Sequence, residues 1–259
     1  MSIAYDRVGE GPALLLVHGI GDERSVWAEL IGLLREQFSC IAMDLRGHGE
    51  SDRHVDCEPL GLARDVHAVL EREDVRAPIL LGHSLGGFVV TIAASERADV
   101  RAVLNVDQPL ELSSLSAALR ALEPALRARS VAEVLSEVLE QLGTGPLTSA
   151  QHAQLRASRN SMKREDLLGI WGPVIAQPRA LNEAVVLATS RVRQPYLSLQ
   201  CCAAPPGYDG WLRTHLPQSD AVDWLGVGHV PQLACTPRLA QLVRTWVARV
   251  LPHGPPGRG

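Results

Sequence analysis

The sequence predicts an α/β fold, a mostly parallel central sheet flanked by helices, with an all-helical segment inserted late in the chain. In the first 109 residues, short continuous apolar runs alternate with segments of helical periodicity. Such runs are typical of strands buried on both faces, and their alternation with helices indicates parallel β-α-β units. Residues 110–189 show no strand pattern, and strands resume at residue 196.

Each element is predicted from its apolar pattern and from the turn residues that bound it. The predicted strands are 3–8, 13–17, 39–45, 77–81, 100–106, 196–200 and 221–227. The predicted helices outside the insertion are 26–36, 60–71, 86–96, 211–216 and 237–251. We assign residues 1–109 and 195–259 to an α/β core and residues 110–194 to a helical cap, or lid. The Pro/Gly-rich tail 253–259 is predicted to be frayed.

Composition excludes several classes of protein. The net charge is −4 and Lys163 is the only lysine, so the clustered basic excess of a nucleic-acid binder is absent. No apolar run reaches the roughly 18 residues of a membrane helix, and no secretory leader is recognisable, which predicts a cytoplasmic protein without a membrane partner. The five scattered cysteines lack metal-ligand spacing and no H-E-x-x-H motif occurs, so we expect free thiols and no metal.

The motif at 82–86, Gly-His-Ser-Leu-Gly, follows a predicted strand and opens a predicted helix. This context is typical of a sharp turn that presents a serine hydroxyl, and the glycines allow the close backbone approach that the turn needs. Ser84 is therefore the candidate nucleophile. A glycine-rich turn with an incidental serine is the alternative.

Serine is a weak nucleophile and needs a base to take its proton. His229 lies between the last predicted strand and the last predicted helix, where a loop histidine could reach Ser84. An exposed loop histidine without such a role is the alternative. The oxyanion of an acyl-transfer reaction needs two backbone N–H donors, which we expect from Leu85 and Ile20, with Gly21 as the second choice to Ile20.

Four motifs together resemble the α/β-hydrolase family with a helical cap. They are His-Gly at 18–19 with Trp27 downstream, the segment 44–52 (Asp-Leu-Arg-Gly-His-Gly-Glu-Ser-Asp), the Ser84 motif, and Gly-His-Val-Pro at 228–231. The resemblance implies a serine hydrolase of the esterase or lipase type that needs no cofactor. It also implies that segment 44–52 is a structural loop, in which Asp44, Arg46, His48 and Asp52 organise the loop and do not catalyse.

The acid that orients the histidine is where the sequence departs from the family pattern. Similar enzymes often carry Gly-x-x-Asp after the strand predicted at 196–200, but this chain has Cys-Cys-Ala-Ala-Pro-Pro at 201–206. Asp107, at the end of strand 100–106, is our first choice, because some capped members carry the acid there. Asp209 is the alternative, although it could instead cap the helix at 211–216. A chain with no effective acid is the third alternative.

The predicted activity is hydrolysis of a small to medium, uncharged ester, thioester or lactone through an acyl-enzyme on Ser84. A serine at this position argues against the dehalogenase and epoxide-hydrolase chemistry of the family, which uses a carboxylate nucleophile. Trp27 and Trp171 are candidates for lining the substrate pocket, although either could instead belong to the core. Hydrolysis or lyase cleavage of a C–C bond with the same three residues, and ligand binding or signalling with little turnover, remain the alternatives. The sequence does not indicate an oligomeric state.

Overall fold

One mixed sheet organises the molecule, and it runs in the order β1-β3-β2-β4-β5-β6-β7. The computed structural model describes residues 2–53 and 56–252, so the tail predicted to be frayed lies outside the described residues. The strand bounds are β1 Tyr5–Val8, β2 Ala13–Val17, β3 Ser39–Met43, β4 Ile79–His83, β5 Ala102–Val106, β6 Tyr196–Gln200 and β7 Ser219–Asp223. Only β1, at one edge, is antiparallel to its neighbour, and every other pair in the sheet is parallel.

The central strands are continuous apolar runs because both faces of the sheet are covered. In β2, Leu15 and Val17 belong to the apolar cluster on one face, while Leu14 and Leu16 belong to the cluster on the other. Neither face of this strand meets water, so a polar residue at these positions would be buried. The predicted fold class is confirmed.

Helices cover the two faces. Their bounds are α1 Ala28–Leu34, α2 Ala63–Arg72, α3 Leu85–Glu96, α9 Tyr208–His215, α10 Pro231–Ala234 and α11 Thr236–Val250. The buried residues of α1 and α11 join the cluster of Leu14, and those of α2 and α3 join the cluster of Leu15. In the described residues, no helix is long and apolar enough to span a membrane.

Five helices and no strand occupy the chain between β5 and β6. They are α4 Ser113–Ala128, α5 Val131–Leu142, α6 Ser149–Ser161, α7 Arg164–Ala176 and α8 Pro178–Thr189. Ser130 and Thr148 each begin a helix in a capping box, whose reciprocal hydrogen bonds satisfy free backbone N–H groups. Pro178 starts α8, whereas Pro173 lies inside α7 and does not end it.

Several predicted boundaries are shifted by a few residues. The last strand is Ser219–Asp223 and not 221–227, because it is a partly exposed edge strand with polar residues in its first half. Gly226, with φ +87°, then belongs to the turn that follows the strand. The helix predicted at 211–216 begins at Tyr208, so Asp209 lies in its first turn while Gly207 occupies the capping position.

Candidate active site

A strained turn between β4 and α3 carries Ser84. The backbone of this residue has φ 51° and ψ −125°, an arrangement that costs energy for any residue with a side chain. A Cβ atom on Gly82 would lie 2.0 Å from the Gly86 carbonyl oxygen, and one on Gly86 would lie 2.1 Å from that of Val17. Only glycines fit these two positions, and the resulting turn puts the Ser84 hydroxyl at the carboxyl edge of the sheet.

His229 lies between Ser84 and Asp107 within hydrogen-bond distance of both. Its Nε2 is 3.0 Å from Ser84 Oγ, and its Nδ1 is 2.7 Å from Asp107 Oδ2. A carboxylate only accepts, so Nδ1 carries the proton and the lone pair of Nε2 faces the serine hydroxyl. This is the arrangement in which an imidazole can take a proton from a hydroxyl group.

Asp107 directly follows β5, and its backbone lies in the left-handed region, with φ 56°. Both oxygens of its carboxylate accept hydrogen bonds. Oδ1 accepts hydrogen bonds from the backbone N–H groups of Cys201, at 2.7 Å, and Cys202, at 3.0 Å. Burial alone would raise the pKa of this carboxyl, but the hydrogen bond and charge of His229 and the two amides outweigh it and hold the pKa near 2. Asp107 is therefore ionised at neutral pH.

Cys201 and Cys202 begin the loop in which the family resemblance leads us to expect an acid, and their backbone N–H groups hold Asp107 instead. Their amides, at the end of β6, hold the carboxylate that projects from the neighbouring strand β5. The sequence could not reveal this contact, since backbone donors leave no signature in the side chains. Asp209, the alternative acid, is exposed in α9 and does not line the cavity that contains Ser84.

Two backbone N–H groups are candidates for the oxyanion donors of this site. Ile20 and Leu85 both line the cavity, and within the described residues neither amide donates to another backbone or side-chain group. The turn before Ile20 is fixed by His18, whose Nδ1 donates to the Gly19 carbonyl oxygen, at 2.8 Å, while Nε2 accepts from the Leu45 N–H, at 3.1 Å. Burial lowers the pKa of His18 to about 4, so the imidazole is neutral, as both contacts require.

His83, the residue before Ser84, is buried and makes two hydrogen bonds that the sequence motif does not reveal. Its Nε2 donates to the backbone carbonyl oxygen of His229, at 2.5 Å, and its Nδ1 accepts from Gln232 Nε2, at 3.2 Å. Burial, followed by the nearby charge of His229, lowers the pKa of His83 to about 3, which keeps the ring neutral. The contact links the turn of Ser84 directly to the backbone of His229.

A cavity of about 290 Å³ opens above Ser84 and is lined mostly by apolar side chains. Trp171 lines it, as the sequence suggests. The prediction for Trp27 is wrong, because a 3₁₀ turn at Arg24–Trp27 directs this side chain into the core, where it packs with Leu30 and Leu34. Among the described lining residues, the carboxylates are Asp107 and Glu111, and no arginine or lysine is present.

The apolar residues of α5 both pack within the helical segment and line the cavity. Leu135, Val138, Leu139 and Leu142 line the cavity, although Leu135 and Leu139 are also buried in the helical segment. The same pattern of apolar residues is expected for packing between helices and for the wall of a pocket, so sequence alone cannot separate them.

The loop at 44–52 is held by its own charged side chains. The buried Asp44 carboxylate accepts from the backbone N–H groups of Arg24, at 2.6 Å, and Glu50, at 2.9 Å. The Arg46 guanidinium pairs with the buried Asp65 carboxylate. Neither Asp44, Arg46, His48 nor Asp52 lines the cavity.

Asp107, Cys202 and His229 also form a group whose metal-capable atoms lie within 4.8 Å of one another. The Asp107 oxygens accept from His229 and two amides, and Cys202 Sγ donates to the Leu142 carbonyl oxygen, at 3.2 Å. Because these atoms already have protein partners, we assign no metal to them.

Comparisons with known proteins agree with this architecture. A family model described as the alpha/beta hydrolase fold matches residues 12–171. A pimeloyl-[acyl-carrier protein] methyl ester esterase from Vibrio atlanticus is 30% identical over 171 residues, which are 66% of this chain and 63% of that protein. An uncharacterized protein from Mycobacterium bovis is 40% identical over 87 residues, 33% of this chain, and the match spans 26% of the length of that relative.

Among solved structures, a thermophilic esterase from Thermogutta terrifontis, with malate bound, superposes with a TM-score of 0.78. The two chains share 21% sequence identity, and the match covers 96% of this chain and 93% of the other. A likeness at this level of identity concerns the fold alone.

Proposed function

Because the chain belongs to the α/β-hydrolase fold family, we propose that it is a serine hydrolase that forms an acyl-enzyme on Ser84. The observation that carries this proposal is the series of hydrogen bonds from Ser84 Oγ through His229 to Asp107, at 3.0 and 2.7 Å. A nucleophile, a base and a group that orients the base are the components of this chemistry, and here they meet at the floor of an apolar cavity.

In the proposed mechanism, His229 takes the Ser84 proton as the hydroxyl attacks the substrate carbonyl. The N–H groups of Ile20 and Leu85 stabilise the oxyanion that forms. His229 then protonates the leaving group, and a water molecule repeats the sequence to release the acid. Asp107 keeps the proton of His229 on Nδ1 and stabilises the imidazolium that forms at each transfer.

We propose a small to medium, uncharged carboxylic ester, thioester or lactone as the substrate. The predominantly apolar lining supports an apolar acyl group, and the absence of arginine and lysine from the described lining residues disfavours a substrate with a carboxylate inside the cavity. The relative from Vibrio atlanticus is named as a methyl ester esterase, which supports an ester in particular. A small-molecule substrate fits a cavity of about 290 Å³.

We also propose that residues 110–194 act as the cap of this site. Four of the five helices in this segment contribute side chains to the cavity wall: Leu115 from α4, Leu139 from α5, Trp171 from α7 and Leu181 from α8. The core contributes the Ser84 turn and the loops of Asp107 and His229. A cytoplasmic location and the absence of nucleic-acid and membrane partners stay predictions of the sequence.

The test is a panel of p-nitrophenyl esters, thioesters and lactones of increasing acyl length. We expect the wild type to hydrolyse at least one class and Ser84→Ala to lose that activity. Ser190→Ala is the matched control, since this serine is exposed at the end of α8 and does not line the cavity. Equal activity of Ser84→Ala and the wild type would refute the proposal.

A further inference from the structure

Helix α5 forms one wall of the cavity and ends beside the loops that carry His229 and hold Asp107. Leu135, Val138, Leu139 and Leu142 face the cavity along its length. The helix ends at Gly143, whose φ of 75° turns the chain out of the helix. We call residues 142–145 the latch.

The latch packs backbone against backbone on the segment that carries His229. The His229 N–H donates to the Gly143 carbonyl oxygen, at 2.6 Å. A Cβ on Gly145 would lie 2.1 Å from the Val227 carbonyl oxygen, and one on Gly228 would lie 2.4 Å from the Gly145 nitrogen. No side chain fits between the two segments, so a displacement of one is passed to the other.

The same helix end also contacts the loop that holds the acid. Cys202 Sγ donates to the Leu142 carbonyl oxygen, at 3.2 Å. The backbone N–H of Cys202 donates to Asp107 Oδ1, at 3.0 Å. The latch therefore contacts both the backbone of His229 and Cys202, the residue whose backbone N–H holds Asp107.

We infer that the latch positions His229, and that the fit of the acyl chain against α5 consequently affects turnover as well as binding. This inference rests on the proposed function. The cavity wall and the latch are consecutive parts of one helix, so an acyl chain that moves α5 also moves the acceptor of the His229 N–H. A misplacement of about 1 Å in a catalytic group can lower the rate about 100-fold.

Gly145→Ala tests this coupling, because the new Cβ meets the Val227 carbonyl oxygen and pushes the latch away from the loop of His229. The matched control is Gly207→Ala, which also introduces a Cβ at positive φ, +83° against +73°, but meets no atom within 4 Å. We expect kcat of Gly145→Ala to fall about 10- to 100-fold with KM changed less than about 3-fold. The control should keep both constants. The clash in Gly145→Ala should also lower its melting temperature, so kcat and KM are measured at a temperature where circular dichroism shows both variants folded.

The series of acyl lengths separates positioning from pocket shape. The wild-type kcat should vary with acyl length, whereas the kcat of Gly145→Ala should lose most of that dependence. A variant whose KM rises while its kcat holds would overturn the inference, because the latch would then only shape the cavity.

A second readout needs no substrate and so does not depend on the proposed function. The proton between His229 Nδ1 and Asp107 should give a low-field NMR resonance. We expect this resonance to shift or broaden in Gly145→Ala and to stay in Gly207→Ala. An unchanged resonance in Gly145→Ala would overturn the inference, whereas a wild type without hydrolase activity would refute only the proposed function.

If Gly145→Ala does not fold, the contact of Cys202 with the Leu142 carbonyl oxygen provides another test. Cys202→Ala removes this donor, and Cys202→Ser keeps a donor at the same place. We expect kcat to fall several-fold in the alanine variant and to be largely restored in the serine variant. Equal kcat values in both variants and the wild type would count against the latch.

Discussion

Replacing Asp107 with asparagine should move the ring proton of His229 from Nδ1 to Nε2. The backbone N–H groups of Cys201 and Cys202 both donate to Oδ1, so the asparagine oxygen must take that place. Its NH₂ group then takes the place of Asp107 Oδ2, which lies 2.7 Å from His229 Nδ1, and faces that nitrogen as a donor. Nδ1 must therefore hold the lone pair and Nε2 the proton, so the ring cannot accept the proton of Ser84.

The expected loss follows from this exchange of tautomers. A base in the wrong tautomer lowers kcat by about 10⁴-fold in enzymes with a serine, a histidine and an aspartate in these roles. The fold should survive, because asparagine has nearly the same shape and keeps both contacts with the amides of residues 201 and 202. Steady-state kinetics on the best ester, together with the melting temperature, measure both effects.

Asp209→Asn is the control, since Asp209 is exposed and does not line the cavity. We expect its kcat to stay within about 2-fold of the wild type, in line with the small effects of surface substitutions. A large loss in Asp209→Asn together with near-wild-type activity in Asp107→Asn would refute the assignment of the acid.

Three further predictions concern the oxyanion donors, the free energy of unfolding at low pH and the glycines of the Ser84 turn. Ile20→Pro removes one N–H donor and should lower kcat about 10²- to 10³-fold. Ile20→Ala keeps the donor and should keep most of kcat. Similar kcat values in the two variants would exclude this donor. The pKa of Asp107 is lowered from 3.8 to about 2, so its contribution of about 2 kcal/mol to stability should be present above about pH 4 and lost as the pH falls through 2. In urea unfolding, the difference in free energy between wild type and Asp107→Asn should shrink over that range, and a constant difference would contradict the shift. Gly86→Ala should lower the melting temperature strongly, because its Cβ would lie 2.1 Å from the Val17 carbonyl oxygen. Gly172→Ala is the control, since its Cβ would meet no atom within 4 Å. Equal melting temperatures of the two variants would contradict this close approach.

The strands and the Ser84 turn could be predicted because their signals are local. β2 and β6 have the predicted bounds, since each is a short apolar run closed by turn residues. The exposed edge strand β7 was misplaced, because its polar residues break the pattern of a strand buried on both faces. Local patterns thus served the interior of the sheet better than its edge.

Contacts between distant segments could not be predicted in the same way. The sequence suggested Asp107 as the acid, but the amides of Cys201 and Cys202 that hold it belong to a loop more than ninety positions later. Trp27 was expected near the pocket from its place downstream of residues 18–19, and its actual direction depends on a 3₁₀ turn with no distinctive pattern. The latch at 142–145 likewise depends on a close backbone approach between Gly145 and residues 227 and 228, which are more than eighty positions later.

The central claim is that Ser84 is an activated nucleophile, and covalent labelling by a fluorophosphonate tests it most directly. The account predicts one phosphonyl group per wild-type chain by intact mass, located by peptide mapping on Ser84, and no labelling of Ser84→Ala. Labelling should be much slower in Asp107→Asn, because its imidazole cannot accept the hydroxyl proton. A wild type that takes up no label, or carries it on another residue, would contradict the account.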